Sequence, residues 1–87
     1  MARRMRGHQA VRVMVEAIGS EIGTRRLIGF ERQVRAQLRA NGHVLELATA
    51  HDWIYAMAQV IVANEDKKAD AGFQKGIRFI RSQAAVD

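Results

Sequence analysis

The chain contains no cysteine and no proline, and only five of its 87 residues are aromatic. Without cysteine there is no disulfide framework, no thiolate zinc site and no cysteine nucleophile, so folding needs no oxidising compartment. Proline is the strongest helix breaker and a common loop marker, and its absence throughout favours helices joined by short connections. Few aromatics disfavour a surface that stacks single-stranded bases. Long apolar runs are missing too. The longest, Trp53 to Ala63, is interrupted by Gln59 and falls well short of the roughly 20 residues that cross a bilayer. The first residues are basic like the start of a signal peptide, but Arg12 and Glu16 interrupt the apolar stretch such a peptide needs, and Glu16 and Glu21 are out of place in a transit peptide. A cytoplasmic protein is the expectation.

What is present suits one small core. At this length and 48% hydrophobic content, folding removes roughly 60–65% of the chain's surface from water, which supports one domain and makes self-association a plausible source of extra stability. The expected organisation is a basic N-terminal arm over residues 1–7 and a single helical domain over 8–87.

Glycines supply the punctuation and divide the chain into four helical segments. In residues 8–22, Val11, Met14, Val15, Ile18 and Ile22 recur at three- and four-residue spacing, which predicts an amphipathic helix. The local alternation of residues 11–15 would also fit a strand, but the longer helical period outweighs it. Gly19 places a bend or an early end within reach. A second helix opens at Thr24 as N-cap and closes before Gly42, with Leu27, Phe30, Val34, Leu38 and Asn41 on one side and Glu31 four residues ahead of Arg35. Residues 43–48 read as a buried connection of undetermined conformation.

Thr49 and Asp52 resemble a capping box, which starts a third helix at Ala50 that reaches about residue 64. Trp53, Ile54, Met57, Val60 and Ile61 cover one side of it, and Tyr55, Ala58 and Val62 make the opposite side apolar as well. A helix apolar all round is usually buried. Asp66 caps a fourth helix that shows Phe73, Ile77, Ile80 and Ala84 on one face and Phe79 off it. Lys75, Arg78 and Arg81 suit its C-terminal half. The fold class expected is all-α: a small compact bundle of about four helices with a buried third helix.

Chemistry has few candidates. The hydroxyls are Ser20, Thr24, Thr49 and Ser82, two of them placed as caps. His43, Glu46, His51 and Asp52 are residue types that bind metals or exchange protons, but their spacing matches no motif, and ordinary polar residues around a helix start are the simpler reading. Residues 19–24, Gly-Ser-Glu-Ile-Gly-Thr, lack the lysine of a phosphate-cradling loop. Gly72 and Gly76 at small-xxx-small spacing point to close helix packing. No catalytic residue, metal or cofactor is therefore expected.

Charge carries the remaining signal. Fourteen Lys and Arg against nine Asp and Glu leave a formal +5, which favours an anionic partner. Arginine, the residue that grips phosphate or carboxylate bidentately, supplies most of it. Arg3, Arg4 and Arg6 lie in the arm, while Arg25, Arg32, Arg35 and Arg39 form a ridge on the second helix, partly neutralised by Glu31. The expected function is non-enzymatic binding of nucleic acid or a nucleoprotein through these arginines. Residues 42–49 make too long a link, and the third helix is too apolar, for a helix-turn-helix. The alternative is an adaptor or inhibitor docking on an acidic protein surface, with Tyr55, Val62 and Phe79 as interface residues and a homodimer as a further possibility.

Overall fold

The computed structural model describes residues 5–86, with side chains through Gln83. Four helices account for almost all of it: α1 (Gly7–Ile22), α2 (Thr24–Ala40), α3 (Ala50–Asn64) and α4 (Lys67–Val86), with one short 3-10 turn (Leu45–Leu47) ahead of α3. An all-helical bundle was the expectation, and the apolar periodicity shows why it forms. Residues 11–15 belong to α1, since Met14, Ile18 and Ile22 all reach the core at helical spacing.

The helix ends are set by local chemistry. α1 runs through Gly19 without ending and stops at Gly23, whose φ of 87° is open to glycine at no steric cost. Gly23 alone separates α1 from α2, so Thr24 is the first residue of the second helix and not its cap. At α3 the reciprocal capping box forms: the Thr49 backbone N–H donates to Asp52 Oδ2 at 2.9 Å, and the Asp52 N–H donates to Thr49 Oγ1 at 3.2 Å. α3 ends where Glu65 turns left-handed at φ 50°. Asp66 then accepts the Ala69 N–H on Oδ1 at 3.1 Å, which caps α4 one residue before Lys67 and Lys68 enter the helix.

The core is apolar throughout. Met14, Ile18, Phe30, Val34, Leu38, Ala56, Met57, Val60, Ile61 and Ala69 form one cluster, with Trp53, Phe73, Ile77 and Ile80 packed around it. No polar or charged side chain is buried among the described residues. Truncating a fully enclosed member such as Leu38 or Met57 to alanine costs about 2–5 kcal/mol, a large share of the about 5–15 kcal/mol that holds a small domain together.

α1 and α4 pack most extensively, and glycine permits it. A methyl group on Gly72 would stand 2.6 Å from the Ala17 carbonyl oxygen, and one on Gly76 would stand 2.7 Å from the Met14 sulfur. The small-xxx-small pair is thus a packing device.

Two expectations are revised. α3 touches all three other helices, yet its burial is one-sided: Ala56, Met57, Val60 and Ile61 face inward, while Tyr55 is 63% and Val62 75% exposed. Four helices of this length leave one side of each to solvent, so an apolar outer face is not covered by being apolar. The connection over residues 43–48 is not buried as a unit either. Leu45 and Ala48 pack on the core, whereas Val44 and Leu47 point outward.

Candidate functional site

The arginines of α2 lie where helical geometry puts them. With Phe30, Val34 and Leu38 facing the core, Arg25, Arg32 and Arg39 fall on the opposite side at seven-residue intervals, about 10.5 Å of rise apart, and all three are exposed. Arg35 is half-buried at the margin of this row. None of the four has a carboxylate within 4.0 Å among the described residues, and Glu31 does not close an ion pair with Arg35.

Arg26, which the sequence reading left out of the ridge, behaves differently. Its guanidinium donates to Asp66 Oδ2, linking α2 to the cap of α4. α2 thus carries five arginines against one carboxylate, while the remaining nine cations and eight carboxylates of the chain nearly cancel. The charge asymmetry of the molecule resides on one helix. Ile28 was also overlooked: it stands among the arginines, three residues after Arg25 and four before Arg32, and is 55% exposed. The same helical projection that identified the ridge places it there.

On one flank of the ridge, polar groups fasten α2 to α3. Gln37 donates to Asn41 Oδ1 at 2.9 Å, Asn41 donates to Gln59 Oε1 at 2.7 Å, and Asn64 donates to Gln33 Oε1 at 2.8 Å. These bonds hold the helix that displays the arginines, so the ridge sits on a rigid element.

The N-terminal cations are elsewhere. Arg3 and Arg4 lie outside the described residues. Arg6 precedes α1, where its backbone N–H donates to Gln9 Oε1 at 3.0 Å, and its side chain lines an α1–α4 cleft of about 670 Å³ together with Arg12, Glu16 and Phe79. No ridge arginine lines that cleft, so the structure does not unite Arg6 with the ridge. It also separates the three stray apolar residues. Tyr55 and Val62 share the outer side of α3, whereas Phe79 belongs to the α1–α4 cleft.

Among the histidines and carboxylates near α3, only one close approach forms: His43 Nε2 lies 3.6 Å from Asp52 Oδ1. Asp52 is held below the usual carboxylate range, first by the Thr49 backbone N–H and then by the Thr49 hydroxyl and the positive fields of His43 and His51. That is a helix cap keeping its charge. Glu46 and His51 are exposed and stand apart from it. Among the described residues no three histidine or acidic side chains converge on a point that could hold a metal. The hydroxyls are similarly occupied or isolated, with Ser20 donating to the Ala17 carbonyl at 2.8 Å and Ser82 exposed on α4.

No family model, curated protein or solved structure matches this chain. No helix among the described residues is long and apolar enough to cross a membrane.

Proposed function

We propose that this protein binds nucleic acid through the phosphate backbone, with α2 as the contacting helix. The observation that carries the reading is the set of Arg25, Arg32, Arg35 and Arg39 on one side of a single helix, with no carboxylate in ion-pair range among the described residues. A row of cations held this way repels itself, and a polyanion relieves the repulsion by giving up condensed counterions. Guanidinium suits the task because it is weakly hydrated and offers two parallel N–H donors to phosphate oxygens.

The ridge offers little for reading bases. Apart from arginine its surface is Gly29, Ala36 and Ile28, and the amides of Gln33, Gln37 and Asn41 are engaged in the α2–α3 seam. Sequence-independent contact is the function this favours. Arg3, Arg4 and Arg6 supply a second, separate source of phosphate contact.

Binding of a labelled random DNA duplex and a labelled RNA across a salt series tests the reading. The expected result is a log–log salt dependence whose slope falls by about 2.7 when Arg32, Arg35 and Arg39 are all replaced by alanine, since each lost phosphate contact removes about 0.9. Absence of binding at low salt, or equal binding by the triple variant, overturns it.

Ile28 favours a second reading. An exposed aliphatic side chain ringed by arginines resembles the apolar centre and charged surround of a protein interface, which suits an acidic protein partner. Under that reading Ile28→Ala weakens partner binding, whereas duplex binding by phosphate contact is indifferent to it.

A further inference from the structure

α3 differs from the other helices in having no charged side chain from Trp53 to Asn64, although much of its outer side meets solvent. The outward positions form a pattern of their own. His51, Tyr55, Ala58, Val62 and Glu65 follow one another at steps of four, three, four and three residues, the 3.5-residue average of a helix that packs along a second helix. The stripe extends over about 21 Å of helix axis.

Its composition indicates what covers it. The stripe is close to palindromic about Ala58, with His51 and Glu65 each seven residues away and Tyr55 and Val62 at three and four. Two copies of α3 laid antiparallel across a twofold axis at Ala58 therefore match layer by layer. Tyr55 of each copy meets Val62 of the other, and alanine at the crossing lets the backbones approach. At both ends an imidazole N–H of His51 can donate to the Glu65 carboxylate of the second copy. A parallel arrangement would instead set Glu65 against Glu65.

We propose that the outer face of α3 is a self-association surface and that its occupant is a second copy of this chain, bound antiparallel about Ala58. The stripe shares no residue with the α2 ridge, so either assignment stands without the other. One helical stripe is smaller than the about 800 Å² per partner of a standard interface, so the dimer forms in a concentration-dependent way.

Sedimentation equilibrium of the full chain from micromolar to millimolar concentration tests this, with exposed-site variants that leave the core intact. Wild type is expected to dimerise, and Val62→Glu to weaken dissociation at least about tenfold by forcing a charge against Tyr55. Glu65→Lys weakens the dimer, and combining it with His51→Glu restores it. Because the chain has no cysteine of its own, Ala58→Cys reports the axis: it forms a disulfide-linked dimer under oxidising conditions, which requires Cα atoms about 4.4–6.8 Å apart, while Tyr55→Cys does not. A wild type that stays monomeric to millimolar concentration, or a dimer unaffected by Val62→Glu, overturns the proposal. Equal cross-linking at positions 55 and 58 overturns the register.

Discussion

Gly72 of α4 lies so close to Ile18 of α1 that a Cβ at position 72 would stand 2.6 Å from the Ile18 Cα. The obstacle is backbone, which cannot rotate aside as a side chain can. Gly72→Ala is therefore expected to push α4 off α1 and to cost at least about 1–3 kcal/mol, despite alanine's better helix propensity. Chemical denaturation measures it. Gly29 is the control, being helical with nothing within 4 Å of its virtual Cβ. Gly29→Ala should stabilise by about 0.5–1 kcal/mol, the ordinary backbone-entropy gain. Stabilisation by both substitutions would show that the α1–α4 contact is loose.

Asp66 performs two tasks with its two oxygens, accepting the Ala69 N–H on Oδ1 and the Arg26 guanidinium on Oδ2. Their worth differs. The Arg26 side chain is 53% exposed against 11% for Asp66, so solvent screens the pair and Arg26→Ala should cost under about 1 kcal/mol. Asp66→Ala also removes a helix cap, and a loss of about 1–2 kcal/mol is expected. Equal losses in thermal unfolding of the two variants would assign the whole effect to the ion pair.

Thr49 and Asp52 make a pH-dependent cap. The folded-state pKa of Asp52 lies below its ordinary value of 3.8, the Thr49 backbone N–H being the main cause. A depressed carboxylate contributes stability that is present above its unfolded pKa and lost as pH falls through the folded one. Acid unfolding of wild type should therefore steepen below about pH 4, and Asp52→Asn should remove part of that slope while leaving stability near neutrality less pH-dependent. Thr49→Ala should cost about 1 kcal/mol at neutral pH.

Arg32, Arg35 and Arg39 make no ion pair within the chain among the described residues. Their joint replacement by alanine should leave the helical circular-dichroism spectrum unchanged and shift stability by less than about 0.5 kcal/mol per site. An unfolded triple variant would make the ridge a structural feature and remove the support for phosphate binding.

Much of the fold was legible before any coordinates, because helices announce themselves locally. The period of Met14, Ile18 and Ile22, the run from Phe30 to Leu38, and the Thr49–Asp52 and Asp66 caps all depend on groups within four residues of one another. The Gly72–Gly76 spacing was readable for the same reason. The arginine row on α2 also followed from projection alone, since a helix with one apolar side must place the remainder opposite.

What the tertiary structure decided concerns pairs distant in sequence. Only packing shows that Arg26 is spent on Asp66, 40 residues away, while its neighbour Arg25 has no such partner among the described residues. Only packing separates Phe79 from Tyr55 and Val62, or leaves the outer side of α3 open when its composition suggested enclosure. Periodicity reports that a residue lies on a face. Whether that face meets another helix depends on how many helices there are to cover it, and four are too few to wrap α3.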